Sequence, residues 1–148
     1  MQVKFVPSLL LLLMAAEAHA TALPALAADA AATVDAFHKA LHAGNTGAAA
    51  ALVAEDALIF EAGGAEHDKA EYVGHHLAAD AQFAGGTSET IKRRSGGGVG
   101  DMAWIATESR TFGTFRGKPV DSAGTETMVL RRTADGWRIV HVHWSSAR

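Results

Sequence analysis

The sequence contains no cysteine among its 148 residues. Disulfide frameworks, thiolate nucleophiles and lipoprotein anchor cysteines are therefore excluded, and stability must come from a packed core. Basic residues are also scarce, since 13 Lys and Arg stand against 16 Asp and Glu, for a formal net charge of −3. Because these basic residues form no stripe along the sequence, we expect no binding to nucleic acid.

The hydrophobic run near the start is too short to cross a membrane. It covers residues Leu9–Ala16, whereas a membrane-spanning helix needs about 20 apolar residues. With Lys4 before it and small residues after it, the run has the layout of a secretory signal peptide. We expect residues 1–27 to form this peptide, with cleavage after Ala20 or Ala27, and the mature protein to be periplasmic or secreted without membrane contact. The alternative is a buried N-terminal helix.

The remainder, residues 28–148, is predicted to form a single α+β domain. Helical spacing of apolar residues predicts three helices, at residues 28–43, 46–56 and 69–83. A short strand is predicted between the second and third helices, at residues 57–64. From residue 87 the apolar period becomes two, which predicts four strands, at residues 87–95, 102–115, 124–132 and 136–145. Turns containing glycine separate them, including a flexible connection at Gly96-Gly97-Gly98. Helices followed by long antiparallel strands favour a curved sheet wrapped over the three helices.

Three segments carry a resemblance to a known family: FHKALHAGNTGAAAALVAEDALIFE, AWIATESRTFGTFRGKPVD and GTETMVLRRTADGWRIVHVHWSS. They resemble the SnoaL-like branch of the nuclear transport factor 2-like (NTF2-like) superfamily, over nearly all of the predicted mature chain. The resemblance implies a cone-shaped fold whose sheet and helices enclose one deep cavity. It does not imply one activity, because the superfamily includes isomerases, dehydratases, epoxide hydrolases, polyketide cyclases and non-catalytic binding or assembly domains.

The last predicted strand, GWRIVHVHWS, carries two histidines on one face. Alternation places Trp137, His141 and His143 together, and we expect this face to line the cavity because Arg138 on the other face would otherwise be buried unpaired. His143 is then the candidate proton carrier, since histidine titrates near neutral pH, while His141 and Trp137 would contact the ligand. The alternative is that the histidines only donate hydrogen bonds to neighbouring carboxylates or carbonyls.

Two glutamates on the preceding strands are candidates for orienting that imidazole. If the apolar residues of these strands face inward, alternation brings Glu108 and Glu126 into the cavity, with Trp104 as a ligand contact. A carboxylate beside His143 would orient its ring, and apolar walls would raise the proton affinity of the carboxylate. The alternative is a cross-strand ladder of ion pairs among Glu108, Arg110 and Glu126 on the solvent face.

The third predicted helix offers two further polar groups. Tyr72, the only tyrosine, lies one turn before His76, so a phenol and an imidazole would face the cavity together as hydrogen-bond donors to a ligand. Neighbouring His75 points about 100° away from His76, so only one of these two histidines faces the cavity squarely. The alternative is that His76 and Asp80, four residues apart, form a surface pair.

A zinc or copper site is a further alternative, with His141 and His143 as two ligands and a histidine of the third helix as another. The sequence has no HExxH motif, no cysteine ligand and no dense acidic cluster, so we assign no metal ligands. No feature of the sequence requires an organic cofactor.

The sequence therefore predicts an exported domain that binds a small, mostly apolar molecule in its cavity. If the domain is catalytic, general acid–base chemistry such as isomerisation, dehydration or hydrolysis is favoured. The alternatives are a non-catalytic binding or assembly module and a periplasmic metal binder. We also expect a homodimer formed through the outer sheet face, where Val140, Val142 and Trp144 would be exposed.

Overall fold

The computed structural model describes residues 22–147. The helices are α1 (Ala25–His42), α2 (Thr46–Ala51), α3 (Lys69–His75) and α4 (Leu77–Gly86). The strands are β1 (Val53–Glu61), β2 (Gly64–Glu66), β3 (Thr87–Val99), β4 (Met102–Phe115), β5 (Lys118–Thr133) and β6 (Gly136–Ala147). Within this part of the chain no helix is long and apolar enough to cross a membrane. Most of the predicted signal peptide lies outside the described residues.

These six strands form one sheet in the order β2-β1-β6-β5-β4-β3. Neighbouring strands are antiparallel, except that β1 and β6 run parallel. The helices pack on one face, which we call the inner face, and the core between helices and sheet includes Val34, Phe37, Ile105, Met128 and Ile139. The opposite face is called the outer face. The predicted α+β fold, with N-terminal helices followed by a mostly antiparallel sheet, is confirmed.

The predicted third helix is interrupted at His76, which separates α3 from α4. The His76 ring contacts a carboxylate oxygen of Glu66, which is buried on β2. The helix start agrees with the prediction, because the Asp68 side chain accepts a hydrogen bond from the Glu71 N–H at 2.8 Å. The break therefore lets His76 pair with β2, a short strand that the sequence did not predict, while Leu77 of α4 stays buried in the core.

The glycine triplet Gly96-Gly97-Gly98 belongs to β3 and is not a flexible connection. A Cβ atom on Gly96 would lie 2.9 Å from the backbone carbonyl oxygen of Trp104, and one on Gly98 would lie 2.8 Å from that of Met102 and 2.7 Å from Leu26 of α1. These distances are shorter than van der Waals contact, so a side chain at either position would force β4 or α1 to shift. The three consecutive glycines, which suggested a flexible turn, are thus explained by close packing around β3.

One extra residue in β6, Val140, changes which side chains face the helices. Val129 of β5 pairs with His141, and Leu130 pairs with Ile139, so the register shifts by one residue at Val140. A bulge of this kind places two residues of one strand opposite one of its neighbour. The alternation of side chains therefore reverses after Val140.

This bulge corrects the predicted orientation of the second half of β6. Trp137 is buried before the bulge, as expected, but Val142 is buried after it. Trp144 also packs against the core, while His143 is exposed. The expectation that His141 and His143 face inward is therefore wrong, as is the expectation that Val142 and Trp144 face outward.

Candidate functional site

A cavity of about 380 Å³ opens on the inner face, between α1, α4 and the strands. This volume lies in the range of small-molecule pockets, about 300–1,000 Å³. Part of the lining is apolar and comes from Leu41, Phe83, Ala84 and Trp144. The rest carries carboxylates, imidazoles and hydroxyls, so the cavity is more polar than the mostly apolar pocket that the sequence led us to expect.

The polar centre of the cavity is an ion pair between α1 and β5. His38 Nε2 lies 2.7 Å from Glu126 Oε2, and the Trp144 Nε1–H donates to the same oxygen at 2.8 Å. Glu126 is only 8% exposed, so two donors hold this carboxylate within the cavity wall. Its other oxygen, Oε1, is buried and has no hydrogen-bond partner among the described residues.

Local sequence patterns explain why these three side chains meet. His38 lies four residues after Val34, which is buried on α1, so both lie on the same side of the helix. Glu126 lies two residues before the buried Met128, so alternation along β5 directs it to the inner face. Trp144 reaches the inner face because the bulge in β6 reverses the alternation of that strand.

The pairing shifts the protonation of both partners. Burial disfavours a charged imidazole, but the hydrogen bond to Glu126 and its negative charge raise the pKa of His38 above its ordinary value of 6.5. Burial also opposes ionisation of Glu126, yet the hydrogen bond and charge of His38, together with Trp144, lower the pKa of Glu126 below its ordinary value. The pair therefore stays imidazolium–carboxylate over a wider pH range than two isolated groups.

A second group of polar side chains lines the cavity, with Asp80 on α4 and Glu61 at the end of β1. The hydroxyl of the buried Tyr72 donates to Asp80 Oδ2 at 2.8 Å. Burial raises the pKa of Asp80, and this Tyr72 hydrogen bond only partly opposes the effect. Partial loss of water and the charge of Asp80 raise the pKa of Glu61. Burial and Asp80 also raise the pKa of Tyr72 far above its ordinary range, so Tyr72 remains a neutral donor.

The two histidines of β6 that were expected in the cavity have their rings on the outer face. The His141 ring lies edge-on to Phe60, with centroids 5.1 Å apart, and its Nδ1 is 3.0 Å from the carbonyl oxygen of Leu58. The His143 ring also lies near Phe60, at 6.4 Å, although the residue borders the cavity. His141 thus matches the alternative in which a histidine bonds to a neighbouring carbonyl.

Strand β4 faces the opposite way from the prediction. Ile105 is fully buried and Trp104 is 44% exposed, so Trp104 and Glu108 lie on the outer face. Glu108 is 4.0 Å from Arg93 of β3, which is a cross-strand ion pair as in the ladder alternative. Glu126 faces inward as expected and takes no part in such a ladder.

The remaining predicted ligand contacts, Trp137, His76 and Tyr72, are not part of the cavity lining. Trp137 is buried in the core. His76 contacts Glu66, and its side chain is 53% exposed. Tyr72 donates a hydrogen bond to the lining residue Asp80. Of the three, Tyr72 therefore supports the cavity wall.

The hypothesis of a zinc or copper site at His141 and His143 requires a third ligand, and the described residues do not provide one. His141 and His143, the expected pair, lie on the outer face. Within residues 22–147, no three His, Asp or Glu side chains are grouped so that they would hold a metal ion.

Reasoning from the sequence missed His38, Glu61 and Trp144 as cavity residues, and it treated Asp80 only as a surface partner of His76. A signal for His38 was present, since it falls at helical spacing with the buried residues of α1. The inward position of Trp144 had no local signal, because it depends on a bulge set by the neighbouring strands.

A family model of the SnoaL-like domain matches residues 30–148. This chain belongs to the SnoaL-like domain family. The family lies within the NTF2-like superfamily, so the expected fold relationship is confirmed. No curated protein sequence matches this SnoaL-like chain.

Solved structures show the same fold. A "putative ketosteroid isomerase" from Shewanella frigidimarina NCIMB 400 is 37% identical, with a TM-score of 0.77, over 84% of this chain and 100% of that one. A "putative dehydratase" of the NTF2-like family from Streptomyces avermitilis is 18% identical, with a TM-score of 0.72, over 82% and 96% of the two chains. The CaMKII hub of S. rosetta is 21% identical, with a TM-score of 0.65, over 82% and 96%. The last two show likeness of fold alone.

Proposed function

We propose that this SnoaL-like domain binds a small molecule in its inner cavity and moves protons on it by general acid–base catalysis. The observation that carries the proposal is the His38–Glu126 pair, with Trp144, in the cavity wall. A buried carboxylate that binds one ring nitrogen orients the imidazole and leaves the other nitrogen for a ligand. The similarity to a protein named a "putative ketosteroid isomerase" supports the same reaction class.

In this proposal His38 Nδ1 is the proton carrier. In the neutral ring, which is populated as pH rises through the raised pKa of His38, Nε2–H donates to Glu126 and Nδ1 accepts a proton from an acidic C–H beside a ligand carbonyl. The C–H electron pair moves toward the carbonyl oxygen as an enolate. In an isomerisation, Nδ1 returns that proton to a different carbon. In a dehydration, it delivers the proton to a leaving hydroxyl, which departs as water. Glu126 stabilises the imidazolium in both cases, while Asp80, held by the Tyr72 hydroxyl, binds the polar end of the ligand.

Deuterium exchange tests this proposal without a known substrate. Small ketones are incubated with the protein in D2O, and deuterium incorporation at the carbon next to the carbonyl is followed by NMR. Loss of general base catalysis costs about 10²- to 10⁴-fold, so His38→Asn should lower the exchange rate by that factor. Glu126→Gln should lower the rate by a smaller factor, because the imidazole remains present but is less well oriented.

The matched control is His141→Asn, which removes an imidazole from the outer face and should leave the exchange rate unchanged. Melting curves of all three variants distinguish lost catalysis from lost folding. Equal exchange rates for His38→Asn and the wild type, or no exchange of any ketone above the buffer rate, would contradict the proposal.

We also propose a homodimer through the outer face, because a row of side chains crosses four strands there. Leu58, His141, Val129 and Trp104 are in register across β1, β6, β5 and β4. Leu58 is 39% and Trp104 is 44% exposed, and contiguous apolar patches mark contacts with other proteins. In sedimentation at micromolar concentration, Trp104→Glu should convert a dimer into a monomer. A wild-type monomer would contradict the dimer but not the catalysis.

We propose, finally, that the protein is exported to the periplasm or secreted through its N-terminal segment. The cation, apolar run and small residues of that segment support this. Cleavage after Ala20 would leave α1 whole, whereas cleavage after Ala27 would remove its first turn, including the buried Ala27 itself. The Ala20 site is therefore favoured, and mass spectrometry of the N-terminal peptide of the exported protein checks it.

A further inference from the structure

Four carboxylates line the cavity, and among the described residues only one of them, Glu126, forms an ion pair with a lining histidine, His38. The carboxylates come from β1, α4, β3 and β5, and they are Glu61, Asp80, Glu89 and Glu126. No lysine or arginine is among the described residues that line the cavity. We propose that the ligand carries a protonated amine, which binds at Glu61 and Asp80. This inference rests on the proposed ligand-binding function of the cavity and specifies its substrate class.

Six strong cations among the described residues form ion pairs away from the cavity. Within residues 22–147, the lysine and arginines that form ion pairs bind carboxylates outside the cavity lining, namely those of Asp29, Asp35, Glu55, Asp56, Glu108 and Asp121. Glu61 and Asp80 both line the cavity, and the charge of Asp80 contributes to the raised pKa of Glu61. The only hydrogen bond to the Asp80 side chain from the described residues is the Tyr72 hydroxyl on Oδ2. A bound cation would relieve the repulsion between these two carboxylates and would engage oxygens that the protein leaves free.

A second, independent observation points to a ligand that donates hydrogen bonds. Glu126 lines the cavity, is only 8% exposed, and its Oε1 has no hydrogen-bond partner among the described residues. A buried acceptor without a donor costs about 1–3 kcal/mol. Serine and threonine residues of four strands also belong to the lining, namely Thr87, Ser109, Thr111, Ser122, Thr125, Ser145 and Ser146. A hydroxyl both donates and accepts hydrogen bonds, so the acidic groups decide the preference: a ligand that donates fits them, and a carboxylate or phosphate ligand would meet like charges.

The same lining offers apolar surface for the body of such a ligand. Leu41, Phe83 and Trp144 contribute it, and Trp144 donates to Glu126, so an aliphatic or aromatic group would be buried beside the His38–Glu126 pair. A protonated amine donates three hydrogen bonds and carries one charge, which matches two carboxylates surrounded by hydroxyls. The ligand is therefore a small amine with an apolar body.

Three probes of nearly equal size test this assignment: 2-phenylethylamine, which is cationic, 2-phenylacetamide, which is neutral, and phenylacetate, which is anionic. Affinities for the purified protein are measured by isothermal titration calorimetry. The amine should bind at least about tenfold more tightly than phenylacetate, since one favourable and one unfavourable charge contact near partly buried carboxylates differ by more than about 1.4 kcal/mol.

Substitutions then locate the amine. Glu61→Gln and Asp80→Asn should each weaken binding of 2-phenylethylamine about fivefold or more and leave binding of 2-phenylacetamide nearly unchanged, because each removes one charge near the ammonium. Asn at position 80 still accepts the Tyr72 hydrogen bond, so the local fold is retained. Glu108→Gln, which removes a carboxylate from the outer face, is the matched control and should change neither affinity.

The proposal is overturned if the amine binds no more tightly than the amide or phenylacetate, if the two variants have no effect, or if no probe binds at millimolar concentration. Its failure is distinguishable from failure of the proposed function. Deuterium exchange that depends on His38, without amine preference, would remove the amine assignment and keep the catalysis. Selective amine binding without any deuterium exchange would keep the amine assignment and remove the catalysis.

Discussion

The two faces of the sheet carry the same three residue types in different surroundings. The inner face and α1 provide Trp144, Glu126 and His38; the outer face provides Trp104, Glu108 and His141. On the inner face His38 and Trp144 both hydrogen-bond to the Glu126 carboxylate, at 2.7 and 2.8 Å. On the outer face Glu108 lies 4.0 Å from an exposed arginine, and the His141 ring rests on Phe60.

The difference between the two sets is the removal of water. A carboxylate that is 8% exposed must be paired to remain charged, so Glu126 perturbs the pKa of His38, and the two act as a unit. An exposed ion pair such as that of Glu108 contributes little, typically about 0–1 kcal/mol. Residue type alone therefore does not identify a site in this protein. What distinguishes the two sets is the face of the sheet on which they lie, because only the inner face is buried.

The largest expected effect on stability comes from deleting Val140, the extra residue that decides which side chains of β6 face the helices. Deletion of Val140 would restore simple alternation, so either Trp137 or Val142 with Trp144 would turn away from the core. We expect loss of cooperative unfolding, because the cost of several kcal/mol approaches a total stability of about 5–15 kcal/mol. Circular dichroism with thermal melting measures this. Val140→Thr, which keeps the residue count, should cost only about 1 kcal/mol, and a cooperatively folded deletion variant would refute the importance of the bulge.

The two tryptophans provide the next largest contrast. Trp144 stacks against Phe37, with ring centroids 6.5 Å apart, and donates to Glu126. Trp144→Ala should therefore cost about 3 kcal/mol of unfolding free energy, through lost packing and a lost donor to a buried charge. Trp104→Ala should cost less than about 1 kcal/mol in the monomer, since the ring is 44% exposed. Urea unfolding measures both, and equal costs would mean that the faces do not differ in burial.

Substitution of Glu126 on the inner face should also lower the unfolding free energy more than substitution of Glu108 on the outer face, but by a smaller margin than for the two tryptophans. Glu126→Gln removes the charge that pairs with His38 and should cost about 1–3 kcal/mol. Glu108→Gln is its matched control and should change the unfolding free energy by less than about 0.5 kcal/mol. Both are measured at neutral pH by urea unfolding. A neutral result for Glu126→Gln would indicate that the buried pair only offsets its own desolvation.

Local patterns predicted most of the fold. β4 has the predicted bounds, residues 102–115, because period-two alternation and glycine turns are properties of neighbouring residues. The same alternation directed Glu126 inward correctly. It failed in β6, because a bulge arises from how that strand pairs with β1 and β5, which local sequence does not encode.

The candidate site was predicted less well for a related reason. His38 lies on a helix that was predicted correctly, but its partner lies 88 residues later in the sequence, on β5. Only the packing of α1 on the sheet brings the two together. Trp104 and Glu108 were assigned to the wrong face, because both faces of β4 include apolar residues and the register is set by neighbouring strands.

The smallest expected effect is a pH dependence of stability that belongs to the inner face alone. The folded pKa of His38 lies above its ordinary value of 6.5, so the folded state binds more protons than the unfolded state. This stabilisation is fully present below pH 6.5 and is lost as pH rises through the folded pKa. Glu126 acts in the opposite sense, since its lowered pKa gives stabilisation that is lost as pH falls below 4.5. Of the other charges near His38, Glu89 strengthens the first effect and Arg94 weakens it.

The wild-type unfolding free energy should therefore fall as pH rises from roughly 6 to 9, and it should fall less in His38→Asn. Urea unfolding at several pH values measures the two slopes. His141→Asn removes an outer-face imidazole and should retain the wild-type slope. If His141→Asn flattened the pH profile and His38→Asn did not, the titrating histidine would lie on the outer face. The His38–Glu126 pair would then not hold its proton as the geometry requires.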